Sequence, residues 1–457
     1  MIINKSSIGL SVARVFQMVI LFLSYKLLTF YLNEEQIGYY YAIGSYISFF
    51  NLVFLNGPSM YLTRDLFRLH KERKLLSSYI YFAIWTTLIA LFSTLLIYFL
   101  KFFNLFLIEN ITLYVFLSVI FSTLYRNIVN GFNTLLKPKL FITFSSLSIL
   151  LGLLTSIALV FYFETALSWL SGVLIVESVI VAIAFKYFFV GDQDLLEISV
   201  NKIKEIFKYC YPLAFTSLFL WIQTQSYKII TEYRYSAEAL SSLALGISIS
   251  SGVFAGVQAI LEQIHTPQFY IDINSQSKLK REKAWNKLQD LTLPLYLLTF
   301  LFIITFANYI GKIFLSRSFE NIVLYIQLGA VINLVRLLIN NLQFITVSEK
   351  TTNKLIIPSL ISCLVLLSLL FFIDFNLKLY LIPVSIISSF ILSLIFLYVS
   401  LNRNFSVIIN LKTMIMPSIP LLLFLMIDTL FTISNFWMFS IFSSYYALMF
   451  IKLINKK

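Results

Sequence analysis

The sequence is poor in charged residues. Asp, Glu, Lys and Arg make up only 12% of its 457 residues, whereas apolar residues make up 59%. A soluble globular domain averages about 25% charged residues. The composition therefore excludes an ordinary soluble protein and predicts a polytopic membrane protein.

Residues that build reactive sites are also scarce. The two cysteines, Cys210 and Cys363, lie in separate apolar segments, and this indicates neither a disulfide framework nor a metal site. Only two histidines occur, His70 and His265. The sequence contains no P-loop, no Gly-rich phosphate loop and no Ser/His/Asp constellation. We therefore predict no catalytic residue, no metal and no cofactor.

Long apolar runs fill the chain instead. A spanning helix needs about 20 mostly apolar residues, and irregular backbone facing lipid is excluded. Fourteen runs qualify: 8–31, 37–60, 77–100, 111–133, 140–163, 166–190, 209–233, 238–264, 289–313, 320–346, 355–373, 379–401, 413–431 and 436–454. The predicted fold class is an all-α polytopic membrane protein with about 14 transmembrane helices.

Basic residues favour one orientation of these spans. If the N-terminus starts in the cytoplasm, most of the 34 Lys and Arg residues fall in inside loops, as the positive-inside rule requires. We predict that both termini are cytoplasmic and that the first helix is not cleaved. The net charge of +13 is then a topology signal, so no nucleic-acid partner is expected.

A short repeat divides the chain. Ser24-Tyr25-Lys26 recurs 202 residues later as Ser226-Tyr227-Lys228, with further matches downstream. The offset pairs the first span with the seventh in the same direction, which predicts a parallel repeat of two six-helix lobes. The predicted segments are a first lobe at 1–190, a cytoplasmic linker with an interfacial helix at 191–208, a second lobe at 209–401, and two additional C-terminal helices at 402–457.

Polar residues in the tenth span fall on one helical face. Asn333, Arg336, Asn340 and Gln343 follow helical spacing. Arg336 lies about 15 Å from the inner end of the span, too deep for easy snorkelling. Because an ionisable residue at such depth usually marks a functional site, Arg336 is the strongest candidate for contact with a substrate.

Other spans carry similar polar faces. Together they predict a water-filled cationic cavity between the lobes, which would attract anionic groups. Snorkelling of Arg14, Arg126 and Lys228 to an interface, and packing of the asparagines between helices, are the alternatives. The predicted lining residues are Arg336, Lys228, Arg14, Arg126, Tyr25, Tyr227, Asn333, Asn340, Gln343 and Gln225.

Three further residues are candidates for ion or proton coupling. Glu262 and His265 share a face of the eighth span, and histidine titrates near neutral pH. A structural role is the alternative for His265, which is followed by Pro267. Glu177 stands alone in the sixth span and could instead form a hydrogen bond between helices.

Each predicted lobe carries a group of short motifs. The first lobe has Ile37-Gly38-Tyr39-Tyr40-Tyr41, Asn56-Gly57 and Leu62-Thr63-Arg64. The second has Tyr211-Pro212-Leu213-Ala214, Ala237-Glu238-Ala239-Leu240 and Thr266-Pro267-Gln268. Together these motifs resemble those of the bacterial polysaccharide-biosynthesis flippases of the multidrug/oligosaccharidyl-lipid/polysaccharide exporter superfamily. The resemblance extends over nearly the whole chain. The chain departs from it in the seventh span, where relatives often carry Asp before the basic residue and this sequence has Tyr227-Lys228.

The resemblance implies a non-enzymatic flippase. The substrate would be an undecaprenyl-pyrophosphate-linked oligosaccharide, an O-antigen or capsule repeat unit, crossing the bacterial inner membrane by alternating access. Arginine or lysine would meet the pyrophosphate, consistent with Arg14, Arg336 and Lys228. Implied partners are membrane lipids, with a polysaccharide polymerase and a chain-length regulator as candidates. A polysaccharide polymerase or ligase and a cation-coupled multidrug exporter are the alternatives.

Overall fold

The structure is a computed structural model, and it describes residues 5–102, 111–189, 200–273, 277–316, 319, 322–349, 351–372, 378–403, 405–407, 411–431 and 436–454. These residues form helices and no strand. The helices are α1 (Lys5–Tyr31), α2 (Glu34–Phe50), α3 (Asn56–Lys71), α4 (Leu75–Phe102), α5 (Ile111–Thr134), α6 (Pro138–Phe163), α7 (Ala166–Phe188), α8 (Val200–Arg234), α9 (Ala237–Ile273), α10 (Lys278–Phe314), α11 (Val323–Ser348), α12 (Ile356–Phe372), α13 (Leu381–Asn402), α14 (Leu411–Ile415), α15 (Ile419–Phe431) and α16 (Phe436–Ile454).

The helices confirm the all-α membrane fold predicted from the sequence. Each of the fourteen predicted spans falls mainly on helical residues. By length and hydropathy alone, nine helices of the described chain are long and apolar enough to cross a membrane. The thirteenth span is broken into α14, a 3₁₀ turn at Met416–Ser418 and α15. Pro417 and Pro420 lie at this break because proline lacks the N–H that a continuous helix needs.

The chain forms two compact units, Met1–Ser241 and Ser242–Lys457. The boundary lies inside α9. Helix α8 therefore belongs to the first unit, where it packs on α2 and α3. The sequence instead assigns this helix to the start of the second lobe. Residues 200–208, assigned to the linker, form the first turns of α8. The lobe boundaries and the interfacial helix stay predictions.

Small residues bring α6 and α7 of the first unit close together. Ser156 Oγ donates to Trp169 O at 2.6 Å, and Thr155 Oγ1 donates to Gly172 O at 2.8 Å. A Cβ atom at Gly172 would overlap the backbone of Ser156. Such close backbone approach with hydroxyl cross-links is how helices associate where lipid supplies no hydrophobic driving force.

A π-helix at Asn51–Leu55 joins α2 to α3 in one helical stretch. Side chains of neighbouring helices bond to this segment: Trp85 Nε1 of α4 donates to Phe54 O at 3.3 Å, and Thr123 Oγ1 of α5 donates to Asn51 Oδ1 at 2.9 Å. π-segments inside helices are rare and occur frequently at functional sites. The segment packs on α8, which carries the lysine of the second Ser-Tyr-Lys stretch.

The second unit uses polar contacts inside its core. Ser250 Oγ of α9 donates to Ile326 O of α11. Trp285 of α10 is 1% exposed, and its Nε1 donates to Asn341 O at 2.9 Å. These bonds hold α11, the helix with the predicted polar face, against α9 and α10.

Candidate functional site

Lys228 of α8 lies in a set of polar and aromatic side chains. Its Nζ donates to Gln225 Oε1 at 2.7 Å. The same Nζ lies 5.4 Å from the ring centroid of Tyr41 and 5.9 Å from that of Tyr227. Cation–π contact within about 6 Å is attractive. The structure thus brings together three predicted residues, Lys228, Gln225 and Tyr227. A hydrogen bond and two ring contacts within the protein already compensate the lysine ammonium.

Contacts between α2 and α8 position this lysine. Ser45 Oγ donates to Gln225 O at 2.9 Å. Trp221 Nε1 lies 3.0 Å from both Ser45 O and Ser48 Oγ, to which it donates. The sequence reasoning missed the α2 residues. Tyr41, Ser45 and Ser48 stand at i, i+4 and i+7, and this helical spacing is the signal that could have found them.

The two copies of the repeat share local hydrogen bonds. Thr29 Oγ1 donates to Tyr25 O at 3.0 Å, and Thr231 Oγ1 donates to Tyr227 O at 2.6 Å. Ser24 and Ser226 likewise bond to the carbonyl four residues earlier. Burial differs, because Tyr227 is buried whereas Tyr25 is half-buried. The repeat is therefore preserved in helix geometry but not in environment.

Arg14 is tied to α6 through a neighbouring amide. Its Nη1 donates to Gln17 Oε1 at 3.0 Å, and Gln17 Nε2 donates to Ser145 Oγ at 3.0 Å. The guanidinium also lies 5.5 Å from the Phe141 ring centroid. Arg14 is half-buried, and these contacts fix its direction within the first unit.

Glu177 of α7 sits among polar side chains of α5. Its Oε2 accepts a hydrogen bond from Ser122, and Arg126 lies within electrostatic range of the carboxylate. Tyr114 lies within electrostatic range of both Glu177 and Tyr40. The sequence left open a hydrogen bond between helices at Glu177, and that bond is present. A coupling role for Glu177 stays a prediction.

The predicted face of α11 contains one buried member. Asn333 is 0% exposed, and its Nδ2 donates to Ser251 Oγ at 2.9 Å and to Gly329 O at 2.7 Å. This asparagine connects α11 to α9. Its amide donor is therefore occupied inside the second unit, as expected of an asparagine that holds helices together.

The other three members of the α11 face carry unpaired side chains. Arg336, Asn340 and Gln343 are half-buried. Within the described part of the chain, none of the three side chains forms a hydrogen bond or ion pair. A guanidinium, a carboxamide and a second carboxamide thus follow each other along one helix face with all their donors available.

Of the two α9 residues predicted to couple ions or protons, the structure describes the side chain of His265. His265 is half-buried, and its Nε2 has no hydrogen-bond partner in the described chain. The side chain of Glu262 lies outside the described residues. The imidazole lies beyond the apolar span Ala237–Leu261. Burial, and then the Lys287 ammonium, lower the pKa of His265 below its usual value, which favours the neutral imidazole.

Sequence comparison and structure comparison give different results. The sequence matches no protein-family model and no curated protein. The structure is similar to the lipid II flippase MurJ in an inward closed conformation, with a TM-score of 0.68, 16% identity, and coverage of 98% of this chain and 97% of that chain. The chain has the fold of the MOP superfamily. The resemblance predicted from the sequence is confirmed at the level of fold.

Other structures of this superfamily cover less of the chain. An inward-facing multidrug resistance MATE family transporter has a TM-score of 0.58 at 12% identity, covering 85% of this chain and 93% of that chain. The eukaryotic MATE transporter AtDTX14 has a TM-score of 0.55 at 12% identity, covering 87% of this chain and 93% of that chain. The similarity to the flippase therefore covers more of this chain than the similarity to either MATE transporter.

Proposed function

We propose that the chain is a flippase that moves an undecaprenyl-pyrophosphate-linked oligosaccharide, an O-antigen or capsule repeat unit, across the bacterial inner membrane by alternating access. The MOP fold supports a transporter. The match to a lipid II flippase covers 98% of this chain, against 85% for a MATE transporter, and this supports a lipid-linked substrate over a soluble one.

The main support for this proposal is the side chain of Arg336, which is unpaired in the part of the chain that the structure describes. It is a half-buried cation in an apolar helix, without an internal hydrogen bond or ion pair among the described residues. A cation at such depth is costly unless something compensates it. Guanidinium binds phosphate oxygens through paired hydrogen bonds, so the pyrophosphate would supply the missing partner. Asn340 and Gln343 offer amide groups suited to sugar hydroxyls.

Lys228 with Tyr41, and Arg14 with Phe141, add cationic and aromatic groups in the first unit. We assign both termini to the cytoplasm from the distribution of basic residues. A polysaccharide polymerase and a chain-length regulator would act on the delivered repeat unit. The flippase itself would make and break no covalent bond, so it requires no cofactor.

Reconstitution tests the proposal directly. Purified protein in vesicles is given an undecaprenyl-pyrophosphate-linked oligosaccharide, and transfer between leaflets is followed by its accessibility to an added glycosidase. We expect transfer with wild-type protein and none in protein-free vesicles. Lengthened oligosaccharide would indicate a polymerase, and no transfer by correctly folded protein would refute the flippase.

A cation-coupled multidrug exporter is the second candidate. The MATE structures share the fold, and Glu177 places a carboxylate inside the first unit. The same vesicles, loaded with a lipophilic fluorescent cation under a proton or sodium gradient, test it. Efflux that Glu177→Gln abolishes, with no oligosaccharide transfer, would favour the exporter.

A further inference from the structure

An apolar pocket lies in the first unit, away from the polar clusters described above. It is formed by α3, α4 and the first turns of α8, and it encloses about 350 Å³. Its walls include Leu62, Phe82, Trp85, Leu88 and Phe207. This volume is at the lower end of ligand-binding pockets, which enclose about 300–1,000 Å³.

The pocket is elongated along α4. Its lining extends from Ser78 to Leu88 on that helix, a distance of about 15 Å at 1.5 Å per residue. Ser78 lies in the first turn of α4, at the end that the basic residues assign to the cytoplasm. The pocket therefore extends from this end of the helix toward its middle.

The pocket opens on an exposed apolar surface, which would face lipid in a membrane. Ile84 and Leu88 are 52% and 54% exposed, and Phe207 is 69% exposed. All three are lining residues. An acyl chain could therefore enter sideways from the bilayer without passing through the protein.

The end of the pocket near the predicted cytoplasmic surface is cationic. Arg68 and Asp65 line it, and Arg68 Nη2 lies 2.6 Å from Asp65 Oδ2. Arg64 Nε lies 3.2 Å from the other carboxylate oxygen. One carboxylate thus serves two arginines, and a net positive charge remains. Both arginine side chains keep at least half of their surface exposed.

Aromatic rings hold Arg64 in place at this end. Its guanidinium lies 4.8 Å from the Tyr61 ring centroid and 5.0 Å from that of Tyr209. Arg64 Nε donates to Asp65, so its two Nη groups are the donors that can meet an anion. A pre-oriented cation beside an apolar groove is complementary to an anionic phospholipid, which has a charged head at the interface and an apolar tail in the membrane.

We propose that this pocket binds an anionic glycerophospholipid of the cytoplasmic leaflet. One acyl chain lies along α4 against Phe82, Trp85 and Leu88, and the headgroup phosphate lies at Arg64 and Arg68. Basic pockets between membrane helices on the cytoplasmic side are suited to anionic headgroups. The pocket touches α8, which carries Lys228, and α3, which continues from α2 through the π-helix. A bound lipid would therefore brace the helices next to the Lys228 cluster.

Quenching by brominated lipid tests the site, since Trp85 lines the pocket. Full-length protein is placed in nanodiscs of phosphatidylcholine that contain either brominated phosphatidylglycerol or brominated phosphatidylcholine. The signal from Trp85 is the difference between wild type and Trp85→Phe. We expect stronger quenching of Trp85 by the phosphatidylglycerol probe. Equal quenching by the two lipids would overturn the proposal without any charge variant being needed.

A charge variant locates the headgroup. Each cation near the membrane surface contributes roughly 1 kcal/mol to binding of anionic lipid, about a fivefold change in affinity. Arg64→Gln/Arg68→Gln should therefore weaken phosphatidylglycerol binding about 25-fold. Lys137→Gln/Lys139→Gln makes the same charge change outside the pocket and should leave it unchanged. An equal loss in both pairs would reduce the effect to general surface charge and refute the site.

A competition arm identifies the lipid source. Undecaprenyl phosphate carries an anionic head and a long apolar tail, so it is the other lipid that could occupy the pocket. We expect excess phosphatidylglycerol with unbrominated chains to relieve Trp85 quenching, and undecaprenyl phosphate at the same concentration to relieve it less. Relief by undecaprenyl phosphate alone would reassign the pocket to the substrate lipid and refute the phospholipid proposal.

Discussion

Lys228 in the first unit and Arg336 in the second are both half-buried cations on apolar helices, but their surroundings differ. Lys228 donates to Gln225 and lies near two aromatic rings. Arg336 has neither a hydrogen bond nor an ion pair in the described chain. The same kind of residue is therefore compensated internally in one unit and left unpaired in the other.

The difference in internal partners predicts different roles for the two cations, one in stability and one in binding. A cation whose donors are occupied contributes to packing, and its removal also strands its partners. A cation without internal partners gains most of its compensation from outside the protein, from water or a ligand. We therefore expect substitutions at Lys228 to change stability and transport together, and substitutions at Arg336 to change transport alone.

The largest expected effect is at Arg336. Arg336→Ala should abolish transfer of the lipid-linked oligosaccharide, and in cells it should abolish surface polysaccharide at unchanged protein level. Arg336→Lys should retain part of the activity, because lysine supplies the charge without the two-pronged geometry. Transfer in reconstituted vesicles and quantitative blotting measure the two quantities.

Arg403→Ala is the matched control for this change. Arg403 is an exposed arginine just after α13 of the same unit, so its loss removes equal charge away from the α11 face. It should behave as wild type. Wild-type transfer by Arg336→Ala would show that Arg336 does not bind the substrate. The proposed difference between Arg336 and Lys228 would then be wrong.

The second effect, at Lys228, should be mixed. Lys228→Met keeps an unbranched apolar side chain but removes the terminal ammonium, and with it the hydrogen bond to Gln225 and the cation–π contacts. We expect a loss of about 1–3 kcal/mol in stability, measured as a lower unfolding midpoint in detergent, and a partial loss of transfer. The exposed Lys139→Met is the control. Full stability with complete loss of transfer would instead make Lys228 equivalent to Arg336.

Asn333 and Asn340 allow the same comparison within one helix. Asn333→Ala removes buried hydrogen bonds to Ser251 and Gly329 and should destabilise the protein by about 1–3 kcal/mol. Asn340→Ala removes no internal bond of the described chain, so it should leave the unfolding midpoint unchanged and weaken transfer modestly. The reverse pattern would mean that Asn340 is the packing residue and Asn333 the ligand-facing one.

The smallest expected effect is at Glu177. Glutamine keeps a carbonyl oxygen that can accept the hydrogen bond from Ser122, so Glu177→Gln should change stability by less than about 1 kcal/mol. Oligosaccharide transfer and its dependence on pH should also be preserved. A loss of activity together with a changed pH profile would assign the carboxylate to proton coupling.

The helices could be predicted from the sequence because their signal is local. The run 436–454 matches α16 residue for residue, and 111–133 matches α5 to within one residue. Apolar composition over about 20 residues is sufficient, since the bilayer leaves the backbone little alternative to a helix. The π-helix between α2 and α3 was not predicted, because the sequence of a π-segment carries no periodic signal of its own.

The sequence alone determined the fold class, the number of apolar runs and the polar face on α11, since these depend on composition and on 3.6-residue periodicity. Only the tertiary structure decided which members of that face are free. Asn333 and Arg336 are one turn apart, but Ser251 of α9 accepts a hydrogen bond from the asparagine, whereas no described side chain forms a hydrogen bond or ion pair with the arginine. Likewise, α8 packs in the first unit because Ser45 and Ser48 of α2 meet Gln225 and Trp221. Such contacts join residues about 80 to 180 positions apart, and helix periodicity within one span contains no information about its neighbours.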